Sequence, residues 1–287
     1  MIVDTHVHIW EMPPVAPIGR TAPRWDSEPD EPGTAELLLD DMDQNGVDYT
    51  VLVQTSWSTW DNGYLADSAR KYPDRFVAHG LLDPLDKGNA KKAIYWMDER
   101  GLKGFRFHPM YYDVIDSDEG EILSKPENEQ AFRAIQERSG IIQVHCYPEH
   151  VPQVEYVVSR YSGITWLIDH MMYPVPGMAH DGWRAYLPVL GLSKYPNVMI
   201  KISDVHNRSQ QEFPYRDMHP VVQMAFEKFG PKRCLWGTGY PGHHRNKNGW
   251  PTLSDELRLV REGFSFLNEK DRRYFLGDNA ASLWGLD

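Results

Sequence analysis

The sequence predicts an α/β protein whose one domain, residues 1–287, is a (β/α)8 barrel of the TIM type. Eight short apolar runs alternate with longer amphipathic segments along the chain. This alternation indicates a parallel sheet covered on both faces, and eight such units close more readily into a barrel than into an open sheet. An open sheet would also carry a glycine-rich phosphate turn after its first strand, whereas that turn reads His6-Val7-His8-Ile9-Trp10.

The predicted strands are short apolar runs bounded by polar or turn-forming residues. They are Ile2–His8, Tyr49–Gln54, Phe76–Leu81, Gly104–His108, Ile141–His145, Thr165–His170, Val198–Ser203 and Cys234–Gly237. The predicted helices are Ala35–Asn45, Asn62–Tyr72, Asn89–Arg100, Glu127–Ser139, Val151–Tyr161, Trp183–Lys194, Met218–Phe229 and Ser254–Leu267. A last capped helix near residues 277–284 is expected to pack under the barrel. The proline-rich stretch 13–32 is predicted to be a loop over the barrel mouth, with a linker as the alternative.

Composition narrows the class of partner. The formal net charge of −11 argues against nucleic acid and anionic membrane surfaces as partners, but not against a small anionic substrate. The sequence has no apolar run that approaches the roughly 18 residues of a membrane helix. The two cysteines fit a reducing compartment, so we expect a cytoplasmic protein. Its partner is expected to be a small-molecule substrate. A homo-oligomer is left open.

Histidines end four of the predicted strands, and those of the first, fifth and sixth strands are the candidates for metal binding and acid–base catalysis. Residues two apart in a strand point to the same side, so Asp4, His6 and His8 are expected to share one face of the first strand. Strands five and six end in His145 and His170. Barrel active sites lie at the carboxyl ends of the strands, where imidazoles from separate walls can meet. We expect a divalent metal at His6, His8 and His145, and acid–base catalysis by His170 and His145.

Several motifs resemble the amidohydrolase-2 group of the amidohydrolase superfamily. They are Asp4-Thr5-His6-Val7-His8-Ile9-Trp10, His145, Asp169-His170, Lys201-Ile202-Ser203, Trp236-Gly237-Thr238-Gly239-Tyr240-Pro241 and Asn279-Ala280-Ala281-Ser282-Leu283-Trp284. They follow the family's order over nearly the whole chain. The resemblance implies a metal-dependent enzyme, with zinc or manganese as the ion. It also implies either hydrolysis of a lactone or decarboxylation of an aromatic or unsaturated acid.

One departure from the family affects the mechanism. In that group the eighth strand ends in an Asp that ligates metal or acts as the acid–base, and the matching residue in this chain is Gly239. Three accounts stay open: a metal held by the histidines and water, a metal-free site in which cations polarise the substrate, and a binding scaffold without catalysis. Asp204 and Asp169 are the candidates for a replacement carboxylate, although Asp169 is expected to point away from the side of His170.

Candidate substrate-binding residues lie near the strand ends. Arg106 and His108 are two apart, so both can face inward, and the Arg106 guanidinium matches a carboxylate unless a buried acid pairs with it. Lys201 is similarly a substrate ligand or half of an interior ion pair. The remaining candidates are His243, in the basic tripeptide after strand eight, and aromatic residues at the presumed barrel top, above all Trp10 and Tyr240.

These observations predict a hydrolase that acts on a small cyclic ester, or on a related carbonyl compound, which carries a negative charge. A metal-dependent nonoxidative decarboxylase is the first alternative. A noncatalytic binding protein on a decayed barrel is the second.

Overall fold

The computed structural model describes residues 1–11, 31–55, 58, 60–109, 121–241 and 249–287. Eight strands form one parallel sheet in sequence order: β1 (Val3–Val7), β2 (Tyr49–Val53), β3 (Phe76–Leu81), β4 (Gly104–Phe107), β5 (Ile141–Val144), β6 (Thr165–Ile168), β7 (Val198–Ile202) and β8 (Cys234–Trp236). The sheet curls until its two edges meet. Gly239 N donates to His6 O at 2.7 Å, and His8 N donates to Tyr240 O at 2.8 Å. The predicted (β/α)8 barrel is therefore confirmed.

Helices cover the outside of the barrel between the strands. The α-helices of the described residues are Ala35–Asn45, Gly63–Lys71, Asn89–Ile94, Pro126–Gln136, Val151–Arg160, Leu187–Gly191, Val205–Arg208, His219–Phe229, Leu253–Arg258, Glu269–Arg273 and Asn279–Trp284. Single π-helical turns extend three of them, at Tyr95–Glu99, Leu259–Gly263 and Tyr274–Asp278. None of the helices in the described part of the chain is both long and apolar enough to cross a membrane.

The predicted helix Trp183–Lys194 is broken in the structure. A 3-10 turn at Arg184–Tyr186 precedes the α-helix Leu187–Gly191, and a second 3-10 turn follows at Leu192–Lys194. Pro188 lies in the first turn of the α-helix, where its missing N–H costs nothing, whereas deeper in a longer helix it would remove a hydrogen bond.

The C-terminal helix closes the bottom of the barrel, as expected. Val3, Ile141, Leu167 and Leu235 lie on four different strands and form one apolar layer with Ala280 of this helix. The partly buried Trp284 packs against the same layer and against a second one at Val51, Val53 and Val77. With this end filled by apolar side chains, the polar interior is left to the opposite end, where the strands terminate.

Candidate active site

The polar interior begins on β1, where a shift in strand pairing directs His6 inward. The register with β2 changes between Asp4 and Val7. Val3 faces the apolar bottom layer, yet His6, three residues later, faces the polar interior. The prediction that Asp4, His6 and His8 share one face was therefore wrong for Asp4, because the irregularity interrupts the two-residue period.

Asp4 instead holds the β1–β8 seam. Its carboxylate accepts hydrogen bonds from Thr238 Oγ1 at 2.6 Å, Thr238 N at 3.1 Å and His6 N at 3.0 Å. Burial raises the pKa of Asp4 to about 7, although these hydrogen bonds oppose the shift. The carboxylate thus positions the backbone of His6.

At the centre of the site, Lys201 joins three interior side chains. Its Nζ lies 2.8 Å from His6 Nδ1, 3.2 Å from Asp169 Oδ1 and 3.0 Å from the side-chain amide of Gln143. Lys201 is fully buried, and burial lowers its pKa to about 8 even though Asp169 opposes the shift. Of the two roles proposed from the sequence, the interior ion pair is the one that the structure contains.

Asp169 also pairs with Arg106. Arg106 Nε donates to Asp169 Oδ2 at 2.6 Å, and Arg106 Nη2 lies 3.2 Å from His170 Nε2. Burial alone would raise the pKa of Asp169, but the positive charges of Lys201 and Arg106 hold it below the usual range. Arg106 is therefore paired with a buried acid. The sequence had left open whether Arg106 binds a substrate carboxylate or such an acid.

The prediction that Asp169 points away from the side of His170 was wrong. Leu167 faces the barrel interior, so Asp169, two residues later, faces it as well. It is His170 that would point outward, and a left-handed turn redirects it. Residues 170–173 have φ angles of 49°, 55°, 54° and 53°, a conformation that costs non-glycine residues about 1 kcal/mol each. Such strain is typical of functional sites.

Within this turn both ring nitrogens of His170 are engaged. Its Nε2 faces the Arg106 guanidinium, which can only donate, and its Nδ1 lies 2.9 Å from Ser203 Oγ. The neutral ring therefore accepts from Arg106 at Nε2 and donates to Ser203 from Nδ1. This arrangement fixes the orientation of His170 and leaves less freedom for the proton transfer expected of it.

A second group forms around Tyr173, at the end of the left-handed turn. The Tyr173 hydroxyl contacts His145 Nε2, and its ring stacks on His170 at 5.2 Å between centroids. The guanidinium of Arg208 lies 4.1 Å above the Tyr173 ring, and the His108 ring is 5.1 Å from that of His145. The sequence does not distinguish Tyr173 from the other aromatic residues predicted near the barrel top.

The five histidines at the strand ends are held neutral. Burial is the largest cause in each case, and the positive charge of Arg106 adds to it. The pKa of His8 falls to about 3, and the pKa values of the others fall well below the usual range: His6, His108, His145 and His170. Each ring thus carries one N–H and one lone pair.

The other sequence candidates lie around this centre. Asp204 pairs with His206 and Arg208 at 3.6 and 3.8 Å, and burial raises its pKa. Trp10 is buried and donates from Nε1 to Glu31 O at 2.7 Å, whereas Tyr240 donates its hydroxyl proton to Asp41 at 2.6 Å. A cleft of 590 Å³ opens beside His8 and Tyr240. His243 lies outside the described residues, as does the predicted loop up to residue 30.

A metal ion fits the site by residue type and spacing. His8 donates from Nδ1 to Val53 O at 2.7 Å, which leaves the lone pair on its Nε2, whereas His145 Nε2 contacts Tyr173. The ligand atoms that lie within 4.8 Å of one another belong to His6, Asp169 and His170. His6 Nε2 is buried with no hydrogen-bond partner among the described residues, which is consistent with an open ligand position. Binding there would require Lys201 to release His6 Nδ1, so that the ring proton can move to that atom, and Arg106 to release the lone pair of His170 Nε2.

The fold and the order of these motifs agree with comparisons to known proteins. The family model described as amidohydrolase matches residues 3–286. No curated protein sequence matches the chain.

Among solved structures, a probable 2-pyrone-4,6-dicarboxylic acid hydrolase from Acinetobacter baumannii with bound citric acid has a TM-score of 0.80 at 20% identity, over 99% of both chains. An amidohydrolase from Burkholderia multivorans with bound zinc has a TM-score of 0.78 at 18% identity, over 100% of both chains. A 5-carboxyvanillate decarboxylase from Novosphingobium aromaticivorans, complexed with manganese, has a TM-score of 0.68 at 17% identity, over 100% of this chain and 96% of that one. At these identities the likeness establishes the fold alone.

Proposed function

The chain belongs to the amidohydrolase family, and we propose that it hydrolyses a small cyclic ester, or a related carbonyl compound, that carries a negative charge. One observation carries the proposal: neutral imidazoles and two buried cations converge where the barrel strands end, and His6 Nε2 points into that space with no partner among the described residues. Hydrolysis of an ester needs a group that stabilises the oxyanion and a group that moves a proton.

His6 is suited to the first task. Its neutral ring accepts a hydrogen bond from Lys201 at Nδ1, so Nε2 carries the ring proton. A buried N–H with no protein acceptor can donate to the carbonyl oxygen of the substrate, and the bond strengthens as that oxygen gains negative charge. Lys201 and Arg106 add positive potential behind it.

His145 and Tyr173 are suited to the second task. The Tyr173 hydroxyl and His145 Nε2 are in direct contact, so a proton can pass between them. We assign proton transfer to this pair in preference to His170, because both nitrogens of His170 are already engaged. Asp204 is separated from this role by its pairing with Arg208.

The acidic group of the substrate is assigned to Arg208, since Arg106 already neutralises Asp169. Arg208 lies over Tyr173, and its ion pair with Asp204 is long, at 3.8 Å. The cleft beside His8 is lined by Glu31, Asp40 and Asp41, an acidic wall that suits hydroxyl groups better than a second carboxylate. A divalent ion at His6, Asp169 and His170 would, when bound, polarise a carbonyl and lower the pKa of water.

Turnover of a panel of carboxylated and hydroxylated lactones tests this proposal, with acid release followed in a pH-stat before and after dialysis against chelator. We expect His6→Asn and His145→Asn to lower kcat/KM by about 10²-fold or more. The control is His219→Asn, because His219 bonds Pro214 O and is not joined to the site. Full activity in both site variants would overturn the assignment.

Decarboxylation of an aromatic or unsaturated acid is the second candidate. The fit of His6, Asp169 and His170 to a metal favours it, since a metal can grip the carboxylate that is lost. Gly239 counts against it, because protonating a ring carbon needs a positioned acid at that strand end. Release of carbon dioxide from candidate acids, without uptake of water, would favour decarboxylation over ester hydrolysis.

Gly239 also motivates the noncatalytic alternative, and restoring an acid tests it. The space beside Gly239 accepts a Cβ without contact within 4 Å, although its φ of 74° disfavours any side chain. If the unmodified protein turns over a lactone and Gly239→Asp is slower, a decayed scaffold is excluded. If only Gly239→Asp is active, the hydrolase proposal fails.

A further inference from the structure

We propose that Tyr186, in the connection between β6 and β7, is a positioning residue whose hydroxyl holds the left-handed turn that brings Tyr173 to His145. The inference rests on the proposed function only for its catalytic consequence. The hydrogen bond and the turn are properties of the folded protein, and they can be tested without any substrate.

The hydroxyl of Tyr186 donates to the backbone carbonyl of Met171, in the middle of the turn, at 2.6 Å. Both residues are fully buried, so water does not replace this hydrogen bond if it is lost. Burial also raises the pKa of the Tyr186 phenol, which therefore keeps its proton and acts as the donor. A phenylalanine ring would fill the same space, so it is the hydroxyl that bears on the turn.

The backbone itself cannot supply this donor. Within the left-handed turn, Tyr173 N donates to His170 O, three positions earlier, at 2.9 Å. The next hydrogen bond of this series would join the N–H of residue 174 to the Met171 carbonyl, but residue 174 is proline and has no N–H. Across the described part of the chain, no backbone N–H donates to that carbonyl. The Tyr186 hydroxyl therefore replaces the donor that the proline removes.

The turn depends on such a contact because its backbone is strained. Left-handed conformations are unfavourable for residues other than glycine, and they persist where the surrounding structure holds them. Without the hydroxyl, the buried Met171 carbonyl has no hydrogen bond, and a rotation of the backbone toward another donor becomes favourable. Tyr173 lies two residues further along and moves with that rotation.

The two ends of the turn are held by different contacts. At its start, both ring nitrogens of His170 are fixed by hydrogen bonds to side chains of other strands. At its end, the Tyr173 ring stacks on His170 at 5.2 Å, and its hydroxyl contacts His145. We therefore expect loss of the Tyr186 hydrogen bond to displace Tyr173 more than His170, and to weaken the contact with His145.

Three variants separate the hydroxyl from the ring. Tyr186→Phe removes the hydroxyl alone. Tyr161→Phe is the matched control, because Tyr161 is also buried and its hydroxyl makes no hydrogen bond to the turn. Tyr186→Phe combined with Pro174→Ala is the rescue variant, since it returns an N–H to position 174, from which the Met171 carbonyl can accept.

Two-bond ¹H–¹⁵N correlation spectra of histidine-labelled protein test the proposal. In Tyr186→Phe we expect the His145 signals to shift, because His145 Nε2 loses the Tyr173 hydroxyl, while the signals of His219, outside the site, stay the same. Tyr161→Phe should give the spectrum of the unmodified protein. Unchanged His145 signals in Tyr186→Phe would overturn the proposal.

The rescue variant tests whether the hydroxyl acts as the missing donor. Adding Pro174→Ala to Tyr186→Phe should return the His145 signals toward those of the unmodified protein. If Tyr186→Phe alone does not fold, Pro174→Ala should restore folding. Failure to recover either the signals or the fold would reject this role of the hydroxyl.

The catalytic consequence has its own measurement. On a lactone that the protein hydrolyses, Tyr186→Phe should lower kcat about tenfold with little change in KM, because proton transfer is displaced while Arg208 stays on its own helix. Tyr161→Phe should match the unmodified protein. Normal kcat together with shifted His145 signals would reject the positioning role. If no lactone is hydrolysed, the proposed function fails, and the spectra alone decide whether Tyr186 holds the turn.

Discussion

Removal of the Asp169 charge should be among the most damaging single changes to the stability of this protein. Asp169 is completely buried and lies 2.6 Å from Arg106 Nε and 3.2 Å from Lys201 Nζ. Asp169→Asn keeps the shape of the side chain but leaves both cations without a counter-charge. Breaking a buried ion pair from one side typically costs about 3–5 kcal/mol of unfolding free energy.

An exposed acid with the same arrangement provides the control. Asp67 lies 2.6 Å from Arg70 and 2.9 Å from Arg100, but its side chain is 53% exposed. Solvent screens that cluster, so Asp67→Asn should cost about 1 kcal/mol or less. Urea unfolding followed by circular dichroism measures both variants. If the two substitutions cost the same, the assumption that burial governs the Asp169 cluster is refuted.

The buried charges of this cluster also predict the direction of two further changes in stability. Adding Lys201→Met to Asp169→Asn should recover part of the loss, because one uncompensated cation is removed. The pKa of Asp169 is lower in the folded state, so its stabilisation is present above the unfolded pKa of roughly 4 and is lost as the pH falls below it. Protein that carries Asp169→Asn should therefore lose less stability on acidification.

Three other predictions concern the surroundings of this cluster. Lys201→Met should raise the affinity for zinc or manganese about tenfold in calorimetric titration, because a cation that competes for Asp169 is removed. An unchanged affinity would contradict metal binding by His6, Asp169 and His170. Asp4 has a raised pKa of about 7 in the folded state, so the free energy of unfolding should fall as the pH rises from about 4 to about 7. Asp4→Asn should abolish this pH dependence, as measured by unfolding midpoints between pH 5 and 8. Gly239→Ala should cost about 1 kcal/mol in unfolding free energy because of its φ of 74°, and unaltered thermal unfolding would disprove the strain.

Much of the architecture could be predicted from local patterns. Eight apolar runs with intervening amphipathic segments are enough to indicate the barrel, because each strand must be buried on both faces. The same patterns place His6, His145 and His170 at one rim, since all parallel strands end on the same side. The broken helix at residues 184–194 could not be predicted with equal certainty, because apolar periodicity continues through the turn at Pro188.

The contacts between side chains at the carboxyl ends of the strands could not be predicted from those patterns. The register shift on β1 and the left-handed turn at residues 170–173 both break the two-residue period from which side-chain direction was predicted. Gln143 carries no signal in the sequence, since a polar residue in a strand is usually solvated, and only its contact with Lys201 identifies it. Ser203 belongs to a motif of the family, but its contact with His170 is visible only in the structure.

The sequence by itself determined the closed barrel, the end at which the site lies and the histidines that reach it, because these follow from hydrophobic period and strand direction. Only the tertiary structure decided that Asp169 unites Arg106 and Lys201, and that Trp284 touches His79 through the barrel floor. These contacts join residues far apart in the chain, and burial gives them their strength. Neither their distances nor the exclusion of water is encoded in any local stretch of residues.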